Sequence, residues 1–205
     1  MSIPFKQLAS RISGQLDTGE VLRRLYATDA SEYQELPAGV VFPENGDDLR
    51  EIVRFAKENK LGLIPRTAGT SLAGQCVGDG LVVDVSHHFT DILEVDVASR
   101  RVRVQPGVVR NELNHALKEQ GMMFGPETST ANRAMIGGMV GNNSCGSNSM
   151  VYGSTRDHLV SLKGFLSDGS EAHFAALSAE EFSAKCNGPE TLETRIYKGL
   201  RDMLS

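Results

Sequence analysis

The chain has 205 residues, 40% of them hydrophobic, and a formal charge of −5 at pH 7 from 21 basic and 26 acidic side chains. No basic block marks a nucleic-acid surface, no apolar run approaches the ~20 residues of a membrane span, and residues 1–13 lack the apolar core of a signal peptide. Cys76, Cys145 and Cys186 are odd in number and far apart, which argues against a disulfide framework or a zinc site and for a reducing cytoplasm.

Residues 1–20 are read as an N-terminal helical segment. In 38–43, Val40, Val41 and Phe42 form a short continuous apolar run, as expected of a buried strand. Asn45 then stands where a helix cap belongs. Asp47 and Asp48 load the first turn, and Leu49, Ile52, Val53 and Ala56 recur at helical spacing. Lys57 and Lys60 close this helix, and Gly62 marks its exit. Residues 61–65 and 81–85 read as further strands. Strand–helix–strand order predicts a small parallel α/β lobe over residues 21–90.

After Asp91 the pattern changes. Leu93, Val95 and Val97 alternate with acids, Val102 and Val104 alternate with Arg101, Arg103 and Gln105, and a short turn near Ser99 makes the two runs a hairpin. A helix is predicted over 109–120, with Leu113, Ala116 and Leu117 as its stripe and Gly121 as its stop. A second hairpin spans 159–174, with Asp168-Gly169 supplying positive φ values at its turn. Ser178 opens a helix whose capping box is completed by Glu181. The last helix is predicted to begin at Pro189, with Leu192, Ile196 and Leu200 on one face. The expected fold class is therefore α+β: an α/β first lobe and, over 91–205, an antiparallel sheet with helices. The glycine-rich segments are expected in connecting loops.

Two of those segments carry chemistry. Pro65-Arg66-Thr67-Ala68-Gly69-Thr70-Ser71-Leu72-Ala73-Gly74-Gln75 follows a strand. Its small residues allow successive N–H groups to point inward as a phosphate cradle, and its hydroxyls and one arginine suit an anion. The same composition also suits a surface loop of turn formers. The Gly-Lys-Ser/Thr of an ATP-hydrolysing loop is missing. Ile136-Gly137-Gly138-Met139-Val140-Gly141-Asn142-Asn143-Ser144-Cys145-Gly146 removes Cβ atoms where a flat ligand would lie, or where two helices would pack. It lacks the preceding strand of a Rossmann site. Pro106-Gly107 reads as a strand-end turn. Tyr152, before Gly153, suits either stacking on a ring or the core. The histidines show no metal-ligand spacing, and no Ser/His/Asp triad is evident.

In order, these segments resemble one family. Tyr26-Ala27-Thr28-Asp29-Ala30-Ser31, Pro37-Ala38-Gly39-Val40-Val41-Phe42-Pro43, the 65–75 segment, Gln105-Pro106-Gly107-Val108, Gly125-Pro126-Glu127, the 136–146 segment, Tyr152-Gly153 and Asp168-Gly169 together resemble the PCMH/VAO-type FAD-binding domain. Vanillyl-alcohol oxidase, p-cresol methylhydroxylase and the FAD-linked D-lactate, glycolate and D-2-hydroxyglutarate dehydrogenases share it. The resemblance spans residues 21–169. It implies an FAD enzyme that oxidises a small 2-hydroxy acid, with Pro65, Arg66, Thr67, Ala68, Gly69, Thr70, Ser71, Leu72, Gly74 and Gln75 in a pyrophosphate loop. Pro106, Gly107, Pro126, Glu127, Ile136, Gly137, Gly138, Gly141, Asn142, Asn143, Gly146, Tyr152 and Gly153 would lie along the cofactor. Thr70 stands where members with histidyl-linked flavin carry His, which implies dissociable FAD. The resemblance also implies a substrate cap outside this chain, catalytic residues beyond it, an iron–sulfur domain or subunit in some relatives, and a location in the cytoplasm or at the inner membrane's edge. Two alternatives share the fold: a reductase of the UDP-N-acetylmuramate-forming type, and a non-catalytic assembly module.

Overall fold

The computed structural model describes residues 3–204; Met1, Ser2 and the predicted helix end at Ser205 lie outside the described residues. The chain begins with α1 (Phe5–Ala9), β1 (Gln15–Asp17) and α2 (Glu20–Leu25), so the segment expected to be helical also contributes a strand. β2 (Gly39–Phe42), α3 (Gly46–Asn59), β3 (Leu63–Arg66) and β4 (Leu81–Asp84) follow. The sheet order is β1-β2-β4-β3, with β2, β4 and β3 parallel and β1 an antiparallel edge that the apolar pattern does not reveal.

The apolar runs follow from burial on both faces. Val41, Leu81 and Val83 pack under α3 and α1 against Ile52, Phe55 and Leu8, while Val40, Phe42 and Val82 face Leu22, Tyr26 and Ile64 on the other side. Asn45 caps α3 by accepting from the Asp48 N–H at 3.0 Å. Asp48 does more than complement the helix dipole. Its buried carboxylate accepts the backbone N–H groups of Ser13, Gly14 and Glu44 at 2.8–2.9 Å, tying the N-terminal segment to the helix start. The helix closes at Lys60, and it is Lys60 itself, not Gly62, that makes the exit, in the left-handed conformation at φ 52°.

β3 and β4 are parallel neighbours, so the chain must return across the sheet between them. It does so without a helix. Residues 67–80 make the crossover as a loop leaving the carboxyl end of β3, where ligands of open α/β sheets bind.

The second half holds two separate two-stranded hairpins: β5 (Ile92–Asp96) with β6 (Arg101–Val104), and β7 (Ser161–Phe165) with β8 (Glu171–Ala175). Val102, Val104 and Ile92 cover Val108, Leu113 and Leu117, the last two on α4 (Arg110–Lys118). Ala116, expected in that stripe, is exposed. At the second hairpin only Gly169 has positive φ; the Gly169 N–H reaches the Leu166 carbonyl and the Leu166 N–H the Ser170 carbonyl, a three-residue loop instead of the expected tight turn. Between the hairpins lie α5 (Ile136–Asn142), α6 (Ser149–Tyr152) and a 3-10 turn at Thr155–His158.

α7 (Ala179–Cys186) has the expected capping box from Ser178 and Glu181. α8 (Leu192–Leu204) starts three residues after Pro189, where the Thr191 hydroxyl accepts from the Thr194 N–H. Its buried positions are Thr194 and Tyr197, because Tyr197 rings against Phe182 and Phe174; Leu200 is exposed. The fold is α+β.

Candidate cofactor-binding cleft

The glycine-rich segment expected in a loop is helical. α5 runs through Gly137, Gly138 and Gly141 and stops at Asn143, left-handed at φ 48°. Its start is stapled to the strand-end turn after β6: Ile136 N–H donates to the Val108 carbonyl at 2.9 Å and Gly137 N–H to the Pro106 carbonyl at 2.8 Å. Three glycines of the 136–146 segment answer to the protein itself. A Cβ on Gly137 would fall inside Pro106, one on Gly138 would lie 2.5 Å from Thr67 Oγ1, and one on Gly146 would strike the Glu127 carbonyl. Gly141 is different. Nothing stands within 4 Å of its missing Cβ, and it faces open space.

Gly138 beside Thr67 brings the 65–75 loop and α5 together. Between them lies a cleft of about 800 Å³. Of the residues singled out in the sequence, Pro65, Arg66, Thr67, Gly69, Thr70, Ser71, Leu72, Gln75, Pro106, Gly137, Gly138, Gly141 and Asn142 line it. Ten other expected residues lie outside its lining. Ala68 and Gly74 belong to the same loop; Gly74 holds φ 68° under the Tyr33 ring and faces a shallower depression of about 330 Å³. Gly107 is buried against the carbonyls of Val85 and Phe89. The Pro126 carbonyl accepts from Arg110 Nε at 3.1 Å, and Glu127 accepts from the Asn148 amide. Ile136 packs on the Val108 core, and Asn143 accepts the Arg156 N–H at 2.9 Å. Gly146 abuts Glu127, Tyr152 packs over Gly125, and Gly153 turns at φ 71° beside Asp157.

The sequence reading missed one wall. Thr128, Ser129, Thr130 and Arg133 also line the cleft. Thr128-Ser129-Thr130 is a run of three hydroxyls, a signal readable beforehand. The segment turns through Ala131 N–H to Thr128 carbonyl and Ala134 N–H to Thr130 carbonyl contacts at 3.1 and 2.7 Å, and Asn111 N–H holds it to α4. Cys145, an exposed thiol, also lines the cleft.

The lining chemistry selects the ligand. The chain carries more acids than bases, yet among the described residues the cleft lining has two arginines and no carboxylate. Hydroxyls from Thr67, Thr70, Ser71, Ser129 and Thr130 surround the same space. The Thr128 Oγ1 is buried without a hydrogen-bond partner, an arrangement that costs free energy. An anion flanked by an uncharged, hydrogen-bonding body fits this set, and the bare Gly141 backbone admits a flat surface. A dinucleotide of the FAD kind meets each requirement.

Comparison with known proteins agrees. Residues 37–175 match the FAD binding domain family. The chain is 40% identical to D-2-hydroxyglutarate dehydrogenase of Pseudomonas putida over 197 residues, which is 95% of this chain but 20% of that protein. It is 32% identical to glycolate oxidase subunit GlcD of Bacillus subtilis over 168 residues, 80% of this chain and 36% of that one. The chain thus spans about a fifth of the first of these relatives and about a third of the second. Among solved structures, an alkyldihydroxyacetonephosphate synthase superposes with TM-score 0.74 at 19% identity over 86% of this chain and 34% of that one. 6-Hydroxy-D-nicotine oxidase of Arthrobacter nicotinovorans superposes with TM-score 0.69 at 20% identity, over 80% and 36%. These two likenesses concern the fold. Fold, acid-free cleft and matched residues converge: the chain belongs to the FAD binding domain family, with FAD as its cofactor.

Proposed function

We propose that this chain is the FAD-binding portion of a flavin-dependent dehydrogenase that oxidises a small 2-hydroxy acid. The observation that carries the reading is the acid-free cleft between the 65–75 loop and α5, with Gly141 open to it. The reaction class is supported by the relatives, whose names include D-2-hydroxyglutarate dehydrogenase and glycolate oxidase subunit. When bound, FAD supplies the hydride acceptor. The chain's own residues bind and orient. Thr67, Thr70 and Ser71 on one side and Thr128, Ser129, Thr130 and Arg133 on the other hold the diphosphate-bearing stretch, with the Arg66 charge beside them. Gly141 and Asn142 lie along the flat portion. Thr70 offers no histidyl link, so binding at that position is dissociable.

The two lobes, residues 21–90 and 91–205, form the two walls in this reading, with 1–20 as a preceding segment. A substrate cap, the groups that hold the acid's carboxylate and take its hydroxyl proton, and an iron–sulfur domain or subunit as electron route would be supplied by other sequence, as the greater length of the relatives suggests. No helix of the described residues is long and apolar enough to cross a membrane. A cytoplasmic site of action, or one at a membrane surface, is part of the proposal.

Titration of the purified 205-residue chain with FAD, followed by flavin fluorescence, is expected to show saturable one-to-one binding. Anaerobic D-2-hydroxyglutarate, D-lactate or glycolate should leave the flavin absorbance of that complex unchanged, and one of them should bleach it once the chain is joined to a cap-bearing polypeptide. Failure to bind FAD, or bleaching by NADPH in place of any hydroxy acid, would overturn the reading.

A further inference from the structure

Arg66 lines the cleft, but one nitrogen of its guanidinium, Nη1, is already engaged within the protein. Nη1 reaches the carbonyl of Thr28 at 2.9 Å and approaches those of Cys76 and Tyr26 at 3.4 and 3.5 Å. The guanidinium carbon sits 5.0 Å from the centroid of the Tyr26 ring. Tyr26 is fixed in turn: its hydroxyl donates to Asp84 Oδ2 at 2.6 Å, and the other oxygen of that buried carboxylate accepts the Ser86 N–H at 2.7 Å. Gly69, at φ 64°, has no Cβ because Arg66 occupies its place. The far end of the loop is tied to the same segment, since the Cys76 thiol points at Asp29 Oδ2 at 3.6 Å. Arg66 and Asp84 are register partners on β3 and β4, the strands that the loop joins.

We propose that Asp84, Tyr26 and Arg66 form a brace that holds the 67–76 loop in its cofactor-receiving shape, and that Arg66 is a positioning residue and not a direct ligand of the diphosphate. The inference rests on the FAD reading for its consequence but not for its mechanics. A loop rich in glycine and hydroxyl residues loses much conformational freedom when ordered. A planar cation at the near end of the loop, stacked on a fixed ring and reaching the carbonyls of Thr28 and of Cys76 at the loop's far end, meets that cost before the ligand arrives. Tyr26 and Asp84 do not line the cleft, so direct phosphate binding by Arg66 alone would leave their contacts without a role.

The test uses the intact polypeptide and the variants Tyr26→Phe, Arg66→Lys and the pair. The first readout needs no cofactor: labelling of the three free thiols by a thiol reagent, resolved by peptide mass spectrometry. Cys145 is exposed, while Cys76 and Cys186 are buried in separate regions. The brace predicts that Cys76 labels about tenfold faster in either variant, the worth of roughly one charge-assisted hydrogen bond, while Cys186 keeps its rate. Equal acceleration of both buried thiols would mean general destabilisation and would overturn the brace, as would unchanged Cys76 labelling. The second readout is FAD affinity. Tyr26→Phe should weaken it about threefold to tenfold, and the pair should be no weaker than Arg66→Lys alone, because both act through one device. Unchanged affinity in Tyr26→Phe with weakened affinity in Arg66→Lys would assign Arg66 to the ligand instead. Absence of FAD binding by the unaltered protein would sink the cofactor reading, and the thiol rates would still decide the brace.

Discussion

Gly137 and Gly141 sit four residues apart in one short helix, and only their surroundings differ. Gly137→Ala drives a methyl into Pro106, whose ring and backbone cannot yield, and should cost about 2 kcal/mol or more by thermal denaturation. Gly141→Ala meets nothing, and alanine favours helix, so it should stabilise the flavin-free chain by about 0.5–1 kcal/mol. The same methyl would stand in the cleft and should weaken FAD about tenfold or more in a fluorescence titration; unaltered affinity would remove Gly141 from the site. The composition of residues 136–146 predicts bare backbone, but not which glycine faces a ligand, because that depends on what the rest of the chain places opposite each one.

Tyr26 and Cys76 set the behaviour at high pH. Burial pushes the Tyr26 phenol well above the ordinary tyrosine range, the hydrogen bond to Asp84 and that residue's charge add to this, and Arg66 opposes it. Burial also raises the Cys76 thiol, with Arg66 again pulling down and Asp29 pushing up. Both groups hold their protons more tightly folded than unfolded. Their contribution is therefore complete below the unfolded values, about 8.5 for Cys and about 10 for Tyr, and is lost as pH rises beyond them. Urea midpoints should fall from about pH 9 upward, and Tyr26→Phe should flatten the part above about pH 10.

At the scale of elements, α3 was readable end to end except for its last residue. The apolar spacing, the Asn45 cap and the acidic first turn are local signals, and local signals survive into the structure. Lys57 and Lys60 were expected to close the helix and Gly62 to mark its exit, yet Lys60 itself takes the left-handed turn. An L-residue there is strained by roughly 1 kcal/mol, so Lys60→Gly should raise stability by about 0.5–1 kcal/mol in a denaturant titration. An unchanged midpoint would show that the Lys60 side chain offsets the strain. α5 was unreadable as a helix because three glycines in seven residues have poor intrinsic propensity. Its form is imposed by hydrogen bonds from Ile136 and Gly137 to the turn after β6. The start of α8 was misplaced for a related reason. Pro189 is compatible with a first turn, but the Thr191 hydroxyl makes the cap.

At the scale of the whole molecule, the two halves meet away from the cleft as well as across it. Arg50 on α3 bonds Asp47 and Glu171 and lies 5.4 Å from the centroid of the Phe165 ring, and Gly169 packs on Arg54. Arg50→Ala should lower hydrogen-exchange protection of the β7–β8 amides while leaving β2 and β4 protected. Equal loss in both would mean that the contact supports the core as a whole. Length, composition and ordered motifs alone determined the α+β class, the strands and helices with strong periods, and the glycine- and hydroxyl-rich loop that lines the cleft, because each is written in neighbouring residues. Only the tertiary structure decided which glycines are open, that residues from 128–133 join the cleft lining, and that Arg66 braces the loop. Those facts depend on groups tens of residues apart coming into van der Waals or hydrogen-bond contact, and a linear pattern carries no record of which surfaces will meet.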